Sequence, residues 1–198
     1  YNKENNQVIC ESDLKNEYPN MYNYLLAKRD LLKGRGYFDK SNKLWYELWC
    51  ERNFSKFKQK KIVNAEIAPE NRFQFDSNGF LGNTKIFSTV LKEEWNNKYF
   101  MLLAILNSKL MNYYHKRIAS PKAGGFFDYK TQYIQNYPIT FSEDLLLFDT
   151  LVSIELLLKN NFIKINDTVK NEHIAVFFEE VIDGCVFELY FEEHMKEK

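Results

Sequence analysis

The apolar residues of this chain change their period along its length, and that change constrains the fold more than any composition figure. Lys61-Ile62-Val63-Asn64-Ala65 and Arg72-Phe73-Gln74-Phe75-Asp76 read as strands, Asn78-Gly79 is a turn signal, and Thr84 to Leu91 alternates again. Phe100, Leu103, Ala104, Asn107, Leu110, Met111 and Tyr114 then recur at spacings of three and four, which predicts an amphipathic helix to about Arg117 that packs its apolar stripe on the sheet. A strand is expected at Thr131 to Asn136, with Pro138 as a boundary. From Ser142 the period is helical and stays so. Ser142 reads as an N-cap with Glu143 and Asp144 in the first turn, and a second helix starts near Glu172 with Phe178, Val181, Ile182, Cys185, Val186 and Leu189 on one side. The expected class is therefore α+β: a small mixed or antiparallel sheet with packed helices over residues 1–141, followed by a C-terminal helical hairpin over 142–198.

The amino-terminal part is harder to read. Pro19 opens a helix whose face is marked by Met21, Leu25, Lys28 and Leu32 and which Gly34 and Gly36 stop. Leu44 to Leu48 reads as packed irregular or strand structure, with Trp45 as core in preference to base stacking. At 198 residues with 17% aromatics and seven glycines, the chain buries roughly two-thirds of its unfolded surface and folds as a globular unit.

Charge separates the two ends although the net charge is zero. Lys28 to Lys61 holds eleven Lys/Arg against four Asp/Glu, a balance of +7, whereas Glu143 to Lys198 holds five against thirteen, a balance of −8. The basic segment attracts phosphates through counterion release, and the acidic one is repelled by the same polyanion. Solvated faces without a ligand are the plain alternative. The run from Lys116 to Lys130 mixes cations, small residues and aromatics in a loop where Gly124 and Gly125 let backbone approach a duplex.

Catalytic readings find little support. Cys10, Cys50 and Cys185 are widely spaced, with no CxxC pair. His115, His173 and His194 have no partner at metal spacing. Glu66 and Glu70 near Lys60 and Lys61 suggest a metal-dependent nuclease only loosely, because the spacing is wrong and Pro69 interrupts it. Gly34 and Gly36 follow a helix rather than a strand, so a glycine-rich cofactor loop is not expected. No run reaches the ~20 apolar residues of a membrane span, and the polar start lacks a signal-peptide layout, so a cytoplasmic context is expected. The absent initiator Met points to an excised piece of a longer protein.

Tyr18-Pro19-Asn20-Met21-Tyr22-Asn23-Tyr24-Leu25 with Arg35-Gly36 and Trp45-Tyr46-Glu47-Leu48 resembles the TaqI-like carboxy-terminal specificity domain. Lys61-Ile62-Val63, Phe75-Asp76, Gly79, Leu102 to Leu110, Gly124-Gly125 and Tyr133-Ile134 with Pro138-Ile139 follow in the order of that family, and Phe178 to Phe191 resembles the helical tail found in the same enzymes. The resemblance implies the target-recognition region of type IIG restriction-modification enzymes and related adenine methyltransferases, phage-defence systems included. It implies double-stranded DNA as partner and a methyltransferase or endonuclease domain in the parent chain. Cofactors belong to that parent: S-adenosylmethionine, and magnesium if it cleaves, with none in this fragment.

On this reading the fragment is not itself an enzyme. Lys28, Arg29, Lys33, Arg35, Lys58, Lys60 and Lys61 are expected to contact phosphates. Arg117, Ser120, Lys122, Gly124, Gly125 and Tyr129 are expected near the major groove, with base-reading residues among them. The alternative is a protein-interaction module that docks a methyltransferase core and binds DNA without specificity.

Overall fold

The computed structural model describes residues 1–2, 4–5, 7–36, 38–48, 54–166 and 168–196, so Cys50 lies outside the described residues. The chain divides into two compact units, Tyr1–Lys58 and Gln59–Lys198. In the first, α1 (Glu11–Glu17), α2 (Pro19–Leu26), α3 (Arg29–Lys33) and α4 (Phe54–Lys58) are short. The single helix expected after Pro19 is two, interrupted at Ala27 and Lys28. Trp45 joins α1 to α2: it is 5% exposed, donates its indole N–H to Glu11 Oε1 at 3.1 Å and meets the Tyr22 ring edge-on at 6.4 Å. The core assignment for Trp45 holds, and the strand alternative for its segment gives way to irregular chain.

In the second unit, β1 (Lys61–Ala65), β3 (Gln74–Asp76) and β4 (Ile86–Thr89) form an antiparallel sheet in the order β3-β1-β4. Ile62 lies opposite Phe75 on one side and Thr89 on the other. A second antiparallel sheet was not expected. It joins β2 (Ile67–Ala68), β6 (Phe126–Asp128) and β5 (Pro121–Lys122) in the order β2-β6-β5, with Ile67 opposite Asp128.

The helix expected over 100–117 is broken into α5 (Tyr99–Asn107) and α6 (Lys109–Ile118). Ser108 turns extended there and caps α6, its Oγ accepting the Met111 N–H at 3.1 Å. Asn107 is meanwhile committed elsewhere: its amide bonds both the N–H and the C=O of Phe73, each at 2.9 Å, tying the approach to β3 to the end of α5. Almost every α5 side chain is buried, which makes this helix the centre of the unit.

Thr131 to Asn136 is not a strand. Thr131–Ile134 forms one helical turn, α7, because Ile134 and Tyr137 face the core at a spacing of three, a helical rather than an alternating period. The helix expected from Ser142 begins at Leu145: Asp144 takes the N-cap position, and Ser142 Oγ accepts the Asp144 N–H outside the helix. α8 (Leu145–Lys159) and α9 (Asn171–Tyr190) form the expected helical pair, and both pack on α5. Lys159 bridges Glu155 and Glu179 across that pair, while Asp183 of α9 accepts the Lys109 N–H at the start of α6, where a carboxylate suits the helix dipole. A short α10 (Glu192–Lys196) ends the described chain.

Candidate nucleic-acid interface

Two helical turns and a hairpin build the site in the second unit. The last turn of α6 carries His115, Lys116 and Arg117. Ala119 then leaves the helix in extended conformation, and Pro121 to Asp128 doubles back as the β5–β6 hairpin. Gly124 and Gly125 make its corner at φ of 75° and 78°, a left-handed conformation open to glycine but strained for other residues. The sequence expected a loop at this place, and the pairing of Lys122 with Phe126 makes it a hairpin instead. A small corner of this kind lets backbone approach a ligand closely.

The surface of the hairpin is basic and its base is acidic. Asp128, 3% exposed, pairs with Lys130 Nζ at 3.0 Å and Lys122 Nζ at 3.7 Å. The register that sets Ile67 opposite Asp128 also brings in Glu66, which takes Lys130 at 3.4 Å and Lys85 at 2.5 Å. Three lysines thus share two carboxylates, in the chain Lys122–Asp128–Lys130–Glu66–Lys85. The Lys85 ammonium, helped by Lys130, holds the Glu66 carboxyl below its usual range although desolvation opposes this, and Asp128 raises Lys130. Three lysines against two carboxylates leave a cation in excess, and the lysine side chains remain 41–70% exposed. Arg117 extends the basic surface, its guanidinium over the Tyr113 ring at 4.9 Å, and Lys116 lies 5.8 Å from the Phe127 ring centre.

Beneath the hairpin lies an aromatic floor. Tyr129 is 1% exposed, stacks on His115 at 3.8 Å and donates its hydroxyl proton to Asn71 Oδ1 at 2.8 Å. Tyr137 shares a 2.7 Å hydrogen bond with His115 Nδ1, while His115 Nε2 has no hydrogen-bond partner among the described residues. Burial lowers the His115 pKa to about 4, so the ring is neutral at ordinary pH, and burial raises the Tyr129 and Tyr137 phenols.

These positions sort the residues named from sequence. Lys122, Gly124 and Gly125 lie exposed on the hairpin, and Arg117 and Ser120 are exposed on the segment that leads into it, with Ser120 Oγ 2.6 Å from the Tyr133 hydroxyl. Tyr129 is corrected: with its ring stacked and its hydroxyl satisfied, it supports the hairpin rather than reading bases. Lys61 is corrected too, being 1% exposed and paired with Asp76 at 2.5 Å in the first sheet. Lys60 is exposed.

The other cations belong to the first unit. Lys28, Arg29, Lys33 and Lys58 are exposed there, with the Arg29 guanidinium 5.5 Å from the Trp45 ring centre. Arg35 is half-buried and donates to the carbonyls of Leu32, Trp45 and Glu47, which gives it a structural role in that unit. The sequence reading missed Lys85 and the two carboxylates as partners of the hairpin. Only the β2–β6 register unites residues so far apart in the chain.

Glu66, weighed above as a nuclease ligand, is engaged by lysines, and no group of three metal-ligating side chains occurs among the described residues. Gly34 ends α3 and Gly124-Gly125 turns a hairpin, so neither glycine pair fits the strand-to-helix cradle of a nucleotide cofactor. No helix among the described residues is long and apolar enough to cross a membrane.

Residues 10–139 match the family described as the TaqI-like C-terminal specificity domain. The chain is 34% identical over 125 residues to the type II methyltransferase M.BanIII of Aneurinibacillus aneurinilyticus, a segment that covers 62% of this chain and 22% of that protein. It is 28% identical over 156 residues to a candidate type II restriction enzyme and methyltransferase of Methanocaldococcus jannaschii, covering 71% of this chain and 13% of that protein. The chain therefore spans less than a quarter of the length of either relative.

Proposed function

Because the chain belongs to the TaqI-like C-terminal specificity domain family, we propose that it recognises a short double-stranded DNA sequence and positions the catalytic part of a type II restriction-modification enzyme upon it. The observation that carries this reading is the β5–β6 hairpin. With its flanks it offers a glycine corner free of side-chain bulk, three lysines held by two carboxylates, Arg117 over the Tyr113 ring, and an aromatic base.

Preorganised cations bind phosphates with little ordering cost, and a narrow hairpin suits the roughly 12 Å width of the major groove. Arg117 and Lys122 are the base-reading residues in this proposal, as long, exposed donors at the end of α6 and on β5. Lys85, Lys116 and Lys130 hold phosphates. Lys28, Arg29, Lys33 and Lys58 of the first unit, with Lys60, add sequence-independent affinity. The parent supplies the methyl-transfer chemistry with S-adenosylmethionine, and cleavage where a nuclease is attached.

The test is selection from a randomised duplex pool by the 198-residue chain, followed by binding of enriched and scrambled duplexes across a salt series. Enrichment of one short motif is expected. Salt-sensitive binding without preference reduces the domain to an electrostatic clamp, and absence of binding refutes the proposal.

A second reading is favoured by one observation. The acidic helix pair leaves Leu146 77%, Phe162 76% and Phe177 62% exposed, which suits docking onto the parent's methyltransferase core. Co-purification of this chain with a separately expressed core supports that role, and it is compatible with DNA recognition at the hairpin.

A further inference from the structure

We propose that the connection from Ser77 to Lys85 is a second DNA-contacting loop, whose Phe80 and Leu81 enter a base step of the bound duplex as an apolar wedge. The inference rests on the DNA-recognition reading above and adds a ligand to it: the exposed face of an unstacked base.

Phe80 and Leu81 are neighbours at 69% and 61% exposure. Isolated apolar side chains are ordinary on a surface, but these two are held out on a turn pinned at both ends. At the near end, the Asp76 carboxylate accepts the N–H groups of Asn78, Gly79 and Phe80 at 2.8, 3.1 and 2.9 Å. Asp76 is itself fixed by buried Lys61, and Gly79 supplies the left-handed φ of 75°. At the far end, Asn83 Oδ1 accepts the Lys85 N–H at 2.8 Å, and Gly82 runs so close to Ile86 that a Cβ there would lie 3.0 Å from the isoleucine Cβ. The wedge is thus presented with little entropy left to lose on binding.

The surroundings of the tip favour a duplex over a protein surface. Residues 77–85 contain no Asp or Glu, while Ser77, Asn78, Asn83 and Thr84 supply donors and acceptors for phosphates and base edges. The loop ends in Lys85, whose partner Glu66 also holds Lys130, so its root stands beside the cation array of the hairpin. Phe and Leu are side chains that proteins insert between base steps to unstack them.

The experiment uses the 198-residue chain and the duplex enriched in the selection above. The double substitution Phe80→Ala with Leu81→Ala is expected to weaken binding about tenfold or more, in line with the loss of base–aromatic stacking. The dependence on salt should not change, since no charge is removed. The melting temperature should not change either, because both side chains are exposed. Phe80→Tyr, which keeps the ring, retains most of the affinity. With 2-aminopurine placed at successive positions of the duplex, fluorescence rises at one step with the unsubstituted chain and not with the double variant. If the unsubstituted chain binds its selected duplex while the double variant binds equally well and no position brightens, the wedge is refuted and the DNA-recognition reading stands. If the unsubstituted chain selects no duplex, both are refuted.

Discussion

Two buried aspartates anchor the two sheets of the larger unit, and both hold lysine, yet they put that lysine to opposite uses. Asp76 and Lys61 close on each other at 5% and 1% side-chain exposure, and the acid spends its remaining valence on the N–H groups of the Asn78 turn. Burial alone would raise its pKa, but Lys61 and those N–H groups hold it below the ordinary carboxylate value. Asp128 is as buried, but its lysines reach outward and keep 41% and 43% of their side-chain surface in solvent. One pair is an internal strut, and the other is a mount for charge that a polyanion can reach. Burial of the lysine, rather than the presence of an ion pair, separates a structural cation from an accessible one here.

The comparison is sharpest under one substitution made twice. Lys61→Met leaves Asp76 buried and uncompensated, and is expected to cost about 3–5 kcal/mol by denaturant unfolding. Lys130→Met leaves Asp128 with Lys122 and is expected to cost under about 1 kcal/mol, as half-exposed pairs do. Equal costs would erase the distinction between the two sheets.

Between those extremes lies the floor of the hairpin, which can be probed by pH. Folded His115 titrates near 4 against 6.5 for an ordinary histidine, because burial disfavours its charged form. The unfolded chain therefore binds more protons between those values. Stability is intact above pH 6.5 and falls as pH drops toward 4, by roughly 3 kcal/mol from this residue. Unfolding midpoints at pH 7 and 4.5 measure it, and His115→Gln should flatten the slope in that window. A slope unchanged by the substitution would place the acid sensitivity elsewhere.

The smallest expected effect on stability is the most telling for recognition. Lys122→Ala should leave unfolding almost untouched, at under about 1 kcal/mol.

How far the sequence could be read differs between the two regions in the same way. The strut was legible as a strand: Lys61 to Ala65 and Phe75-Asp76 alternate, and Asn78-Gly79 marks the turn. The family resemblance, too, was visible in ordered blocks along the chain and agrees with the match over residues 10–139. What alternation could not show is that Lys61 points inward, because a lysine with a buried acid opposite looks like any strand-edge cation. Tyr129 was misread for a related reason. An aromatic in a loop rich in Gly and Lys resembles a base-stacking residue until the fold lays it on His115. The array of Lys85, Lys122 and Lys130 depends on a two-residue strand, Ile67–Ala68, too short to leave a period of its own.

The central claim is that the exposed hairpin cations, and not the buried ones, read DNA. It is tested most directly by the double variant Arg117→Ala with Lys122→Ala on the selected duplex, measuring both salt dependence and preference over scrambled sequence. The account predicts that discrimination falls by about tenfold or more, as for lost base contacts worth about 1–3 kcal/mol, and that the salt slope changes by no more than about two. Unchanged discrimination in a stably folded variant would contradict it and move sequence reading away from the hairpin.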